Sequence, residues 1–270
     1  FPPEERGTAM GIYGIGVVLA PAVGPVLGGW LIDNYDWRYV FYMGLPTSFL
    51  GMLLGTIFLP TRLSGGKRRR FDSFGFVLLA AFLVTSLYAL ANGQREGWNS
   101  DIIVGTGALS LALFLSFIVW LARRAEPLVS LRVFAFRRYS AASLVAFLYG
   151  AGLYGSTYLI PLFLQTVQGY TPTRSGLLLM PAGLVLGLVF PIAGRLTDRL
   201  PAYLLVCAGL FLFGLSNLLL YEIDVDIPFW DMALMVLLGR IGLGVMMPAL
   251  NAGALSALPA ELLAQGTGTI

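Results

Sequence analysis

Histidine is absent from this 270-residue chain, and cysteine occurs once, at Cys207, inside an apolar stretch. The first absence removes histidine-based catalysis, histidine metal ligation and a histidine pH switch. The second removes any intramolecular disulfide and any cysteine-cluster metal site. Charge is scarce too: 11% of residues are charged against 57% hydrophobic, and the mean hydropathy is +0.81. Soluble domains carry about 25% charged residues, so this composition belongs to a polytopic membrane protein. No carboxylate stands well inside any of the long apolar runs. A membrane-embedded enzyme would need histidine, cysteine or carboxylate clusters at helical spacing within its spans. The chain therefore reads as no enzyme and as free of metal sites.

What is present is a series of uncharged runs, at 7–32, 39–61, 73–94, 102–122, 139–173, 175–194 and 200–221. An eighth runs from Met232 to about Ala257 and is broken only by Arg240. Each can hold a span of about 20 residues, and long apolar runs in place of ten-residue alternation exclude a membrane β-barrel. Basic residues concentrate in alternate loops: Arg6, then Arg62 with Lys67 to Arg70, then Arg123 to Arg138, then Arg195 and Arg199. The intervening loops are acidic, with Asp33, Asp36, Glu96, Asp101, Glu222, Asp224, Asp226 and Asp231. Lys and Arg in short loops mark the cytoplasmic face, which puts both ends of the chain in the cytoplasm. Beside a span, the run Lys67 to Arg70 reads as a topology anchor touching anionic lipid and not as a nucleic-acid patch. The segment from Arg123 to Arg138, containing Glu126 and Pro127, is the expected internal boundary. The opening at Phe1 and the charged segment before Ile270 read as those of an internal fragment, with no leader ahead of the first span.

Gly11 to Gly29, GIYGIGVVLAPAVGPVLGG, sets prolines and glycines inside a run of membrane length. The pair Gly24 and Gly28 has the spacing that lets a neighbouring backbone approach, while Pro21 and Pro25 each remove a backbone donor. A small-residue packing face would have this spacing as well. The longer pattern resembles the antiporter signature of drug:proton exporters in the major facilitator superfamily. Gly24, Pro25, Gly28 and Gly29 match its core Gly-Pro-x-x-Gly-Gly, Gly11 matches an upstream glycine, and Ala20 stands in for the other.

Trp37-Arg38-Tyr39-Val40-Phe41 with Pro46 is similar to a block of the fourteen-span EmrB/QacA-type branch, with Gly44 where Asn is usual. Tyr158 to Gln165, then Gly169 to Pro172 and Ser175-Gly176, resemble that branch's seventh-helix exit and outer loop. Gly194, Asp198 and Arg199 resemble a degenerate copy of its Gly-x-x-x-Asp-Arg loop, although a basic turn with Asp198 at a helix end reads as well. The resemblance implies an all-α bundle with eight of fourteen helices present. It assigns residues 1–60 to the end of the N-terminal half, 61–138 to an inserted helix pair, and 139–270 to part of the C-terminal half. It further implies alternating-access export of amphiphilic drugs or toxic compounds, driven by the proton gradient without a cofactor. The partners implied are the lipid bilayer of a plasma or bacterial inner membrane, small amphiphilic substrates, protons and, in a Gram-negative source, a periplasmic adaptor protein. The alternatives are export of one metabolite, such as a siderophore or fatty acid, or a non-transporting scaffold. The acid that carries the proton is expected in helices outside this chain.

Polar residues inside spans are where a transporter would bind its substrate. Arg240 is the one charge well inside a run, and Arg240 to Gly244 resembles the family's Arg-x-x-x-Gly motif. Proton coupling and a structural bond to a bent neighbour both fit it. At 100° per residue, Ser143, Phe147, Tyr154, Tyr158 and Gln165 fall on one stripe, which suits large organic cations or amphiphiles or else ordinary packing. Asn217 and Asn251 are further polar candidates.

Overall fold

The computed structural model describes residues 22–58, 72–124 and 127–269. Helical residues 22–34 (α1) carry the core of the glycine-proline motif. They are followed by α2 (Arg38–Phe58), α3 (Ser73–Glu96), α4 (Asp101–Arg123), α5 (Arg137–Thr166), α6 (Pro172–Thr197), α7 (Ala202–Tyr221), α8 (Phe229–Leu255) and a short α9 (Leu263–Thr267). Seven helices, α2 to α8, are long and apolar enough to cross a membrane. The remaining expected span is the first, of which α1 is the described part. The protein is an all-α membrane protein, as its apolar runs require.

Local chemistry sets the helix ends. The uncharged run 139–173 is too long for one span, and it breaks after Thr166 because Gly169 adopts φ 66°, a left-handed conformation that suits glycine. The Tyr170 amide then bonds back to the Leu164 carbonyl at 2.9 Å. Thr171 caps α6 by accepting from the Arg174 amide at 3.2 Å, and Pro172 occupies the first turn, where a missing N–H costs nothing.

The chain forms two compact units. One joins the described part of Phe1–Thr61 to Ala141–Ala257. Its centre is α8, which packs on α6 and α7 and is apolar apart from Asp231 in its first turn, Arg240 and Asn251. Lipid tails are as apolar as leucine, so helices gain by close packing and not by leaving solvent. Gly242 accordingly lies against Gly209 of α7, and Gly239 lies against Ser216, whose hydroxyl donates to the Met235 carbonyl at 2.7 Å. Gly244 faces Leu186 and Val189 of α6. Two buried clusters tie α5 to α8, one around Ile160, Leu164 and Val236, the other around Leu243, Met246 and Leu250 with Tyr149 and Leu153. By contrast α2 has no buried residue.

The second unit joins the described part of Arg62–Ser140 to Leu258–Ile270. Its α3 and α4 pack against each other, and Asp72 holds their basic-loop end. The buried Asp72 carboxylate accepts from the Gly75 amide at 3.1 Å, from the Trp120 indole at 3.0 Å and from the Leu128 amide at 3.3 Å. It therefore caps α3, anchors the end of α4 and fixes the linker that follows. The same unit docks its C-terminal segment through the fully buried Tyr139, whose hydroxyl donates to the Gly266 carbonyl at 2.8 Å.

Burial pushes the Asp72 carboxyl toward protonation, but the Gly75, Trp120 and Leu128 donors and the Arg124 charge together hold it below its ordinary range. A lowered carboxyl contributes stability at neutral pH and loses it as pH falls through the folded value. Asp72→Ala is expected to destabilise the full-length protein by about 2 kcal/mol in detergent, since hydrogen bonds to a charged acceptor are worth about 1.5–3 kcal/mol. The difference from wild type, read by thermal unfolding, should be constant between about pH 8 and 5 and shrink only below about pH 4.

Candidate functional site

The motif helix α1 lies along α6, and the two backbones nearly touch. A Cβ built on Gly29 would overlap the Pro172 carbonyl, one on Gly176 would overlap the Pro25 carbonyl, and one on Gly183 would meet Ala22. This differs from the contact expected of Gly24 and Gly28. Among the described residues nothing lies within 4 Å of a Cβ at either position. The reason is register: the Gly24 and Gly28 face turns away from α6, and Ala22, Pro25 and Gly29 supply the contact. Gly11 and Ala20 lie outside the described residues.

At the acidic-loop end the same pair of helices is latched by charge. The Asp33 carboxylate, just before the end of α1, accepts from the Thr173 amide in the first turn of α6 at 2.8 Å. That N–H has no partner within its own helix, and the positive end of the α6 dipole favours the carboxylate. The Thr173 side chain, opposed by partial burial and aided by the Thr173 amide and the Thr171 side chain, holds the Asp33 carboxyl below its ordinary range. The latch is thus ionised at any pH above the usual carboxylate range. Gln168 fixes the neighbouring loop, donating to the carbonyls of Val225 at 2.9 Å and Ile227 at 3.3 Å. Trp30, Tyr35, Tyr39 and Tyr42 form a chain of ring contacts along this end of α1 and α2, and Arg38 pairs with Asp36 at 3.3 Å while covering the Trp37 ring. Exposed aromatic rings of this kind suit a membrane interface.

Gly194, Asp198 and Arg199 form the opposite end of α6. Asp198 is its C-cap, the amide of Arg199 bonds the Leu196 carbonyl at 3.1 Å, and both side chains are exposed. A helix-ending turn is what the structure gives this segment.

Within the bundle, Arg240 of α8 donates from Nη2 to the Thr157 hydroxyl of α5 at 2.9 Å. The Thr157 hydroxyl donates in turn to the Leu153 carbonyl at 2.7 Å. Arg240, Gly239 and Val236 of α8, Ser156 and Ile160 of α5, and Ser216 and Asn217 of α7 line a small open cleft of about 10 Å³. Tyr154 and Tyr158 flank Thr157 in sequence and are exposed, at 74% and 68%. The tyrosine stripe is therefore not the face that packs on α8, which uses Ala142, Val145, Ala146, Tyr149, Leu153, Ile160 and Leu164. Gln165 is exposed as well. Asn217 lies in the cleft beside Arg240, whereas Asn251, three turns further along α8, donates to its own helix at the Met247 carbonyl, 3.2 Å away.

The sequence matches the Major Facilitator Superfamily over residues 1–270. The chain belongs to that superfamily. It is 31% identical over 268 residues to the uncharacterised MFS-type transporter YhcA of Bacillus subtilis, covering 99% of this chain and 50% of that protein. It is 33% identical to the multidrug resistance protein B homolog of Mycobacterium tuberculosis, with 99% and 50% covered. It is 29% identical to the multidrug export protein EmrB of Haemophilus influenzae, with 99% and 53% covered. The chain thus spans about half the length of the curated relatives it matches. Membership places it among membrane transporters and not among enzymes.

Of the residues singled out in the sequence, the structure brings together Asn217 and Arg240 in one cleft and leaves Asn251, the exposed Tyr154 and Tyr158, and the Gly194 to Arg199 turn outside its lining. The motif reading passed over Thr157, placed Pro172 and Gly176 in an outer-loop block and Asp33 in an acidic loop, and did not foresee the Thr157–Arg240 and α1–α6 contacts they make. Thr157 lay between two tyrosines already singled out, Thr171-Pro172 was a legible helix start, and Asp33 was an acid at the end of the first span. The contact register orders the effects of substitution. Gly29→Leu and Gly176→Leu should each destabilise the full-length protein by about 1–3 kcal/mol, as overpacking does, while Gly28→Leu should fall within about 0.5 kcal/mol of wild type. Thermal unfolding of the purified variants measures this, and a Gly28→Leu effect as large as that of Gly29→Leu would reverse the order.

Proposed function

We propose that the full-length protein is a proton-driven exporter of amphiphilic drugs or toxic compounds that works by alternating access. The observation that carries this reading is the backbone contact between α1 and α6. By the resemblance, α1 closes the N-terminal half (1–60), α3 and α4 are an inserted pair (61–138), and α5 to α8 belong to the C-terminal half (139–270). Transporters built from repeats move one half against the other. A seam of carbonyls and the small Ala22 side chain seated on glycines allows two helices to slide or rock while excluding water. The names of the relatives from Mycobacterium tuberculosis and Haemophilus influenzae support export of drugs. Tyr154 and Tyr158 give the path flat apolar faces with hydroxyls, which tolerate varied amphiphiles. The described spans hold no carboxylate deep in the membrane, so the proton carrier is assigned to the rest of the protein, with the proton gradient in place of a cofactor. Its setting is the plasma or bacterial inner membrane, with a periplasmic adaptor as partner in a Gram-negative source. Export of a single metabolite, such as a siderophore or fatty acid, would use the same scaffold.

Two experiments test this. In vesicles holding the full-length protein, a panel of cationic, neutral and anionic fluorescent amphiphiles should include at least one that moves only when a pH gradient is imposed. Movement of none would end the export reading. For the orientation, Arg199→Cys and Glu222→Cys, both at exposed positions, are made in a Cys207→Ser background. An impermeant thiol reagent applied to intact cells should label position 222 and spare position 199; the opposite pattern would invert the topology. Ser130 lies in another basic loop but is buried, so its silence would carry no information.

A further inference from the structure

Among the described residues, the cleft at Arg240 holds a cation with no carboxylate bonded to it. The guanidinium has five N–H donors, and among the described residues its hydrogen-bond partner is the Thr157 hydroxyl, which engages one of them. Asp231, the acid nearest to it along α8, is nine residues away, about 13–14 Å at 1.5 Å per residue. The acids Glu222, Asp224 and Asp226 lie in the loop beyond α7, at the same outer end. The polar groups nearby do not neutralise it. The Ser156 hydroxyl donates to the Leu153 carbonyl at 3.0 Å, the Ser216 hydroxyl to the Met235 carbonyl, and the Asn217 amide to the Phe213 carbonyl at 2.7 Å. A charge in low-dielectric surroundings is retained where something compensates it, and inside spans such charges mark substrate or ion paths.

From this we infer that the cleft between α5, α7 and α8 is a subsite for the anionic head of an amphiphilic substrate, a carboxylate in the first instance. The free guanidinium donors match a planar carboxylate as a fork, which lysine could not do. The apolar body of the same molecule then rests on Tyr154 and Tyr158, which are exposed and flank Thr157 in sequence. This deepens the export reading and rests on it for its biological use. It also turns the expected substrate charge round: the tyrosine stripe alone suits organic cations, but an unpaired guanidinium beside it repels them and attracts anions. Arg240 here is a binding residue that selects for charge, and no proton transfer is asked of it.

The test uses the full-length protein in lipid nanodiscs with three probes that share one ring system: 1-pyrenebutyrate, its uncharged methyl ester, and a pyrenebutyl-trimethylammonium cation. Binding is read by fluorescence, separately from transport. Wild type should bind the carboxylate at least tenfold more tightly than the ester and bind the cation most weakly. Arg240→Gln should weaken carboxylate binding at least tenfold and leave the ester within twofold, while Arg240→Lys should recover part of the loss. Unchanged ester binding shows that the variant is folded. If Arg240→Gln weakens all three probes alike, or none, or if wild type prefers the cation, the subsite is wrong. Excess chloride that displaces pyrenebutyrate competitively would support an anion site. Charge-selective binding without any gradient-driven flux would keep the subsite and remove the export reading.

Discussion

Helices in a bilayer gain almost nothing by hiding apolar surface from one another, and this constraint shapes the whole chain. Packing must come from close backbone approach and from polar contacts that lipid cannot supply. The protein meets it where Gly29 and Gly176 admit the carbonyls of Pro172 and Pro25, and again where Gly239 and Gly242 bring α8 against α7. Bulky side chains are left to line the surfaces between.

The charges divide by depth in a way that follows from the same constraint. Asp33 and Asp72 sit at helix ends, where each carboxylate accepts backbone N–H groups that have no partner in their own helix. One ties α1 to α6, the other ties α3, α4 and the linker after them. Arg240 is different in kind: it lies within α8 and is bound through a hydroxyl. Two of these groups hold helices together at their ends, and the third joins α8 to α5 within the bundle.

Much of this was legible in the sequence. Because a membrane-length uncharged segment forms a helix in lipid, apolar run length located the described spans, although the run 139–173 overshot the end of α5 at Thr166. The break near Gly169 was also readable, from Gly169 and the Thr171-Pro172 start. The face of α1 that makes contact was not. The Gly-x-x-x-Gly spacing fixes which residues share a face, but it does not say which face meets a neighbour, and α6 lies more than a hundred residues further along. The partner of Arg240 was hidden for a related reason: Thr157 and Arg240 are 83 residues apart, and no periodicity within one helix links them. Sequence showed which residues were unusual, and the antiparallel neighbours α5 and α8 decided which of them meet.

The central claim is that the α1–α6 seam is a moving part of the exchange cycle. Asn34 and Arg174 are the sequence neighbours of the Asp33–Thr173 pair, and cysteines are placed at both positions in the full-length protein freed of Cys207 for cross-linking by mild oxidation. The account predicts that the disulfide forms readily, that it stops gradient-driven flux, and that reduction restores flux to its earlier rate. Ready cross-linking with undiminished flux would contradict it, because the seam would then be a static joint.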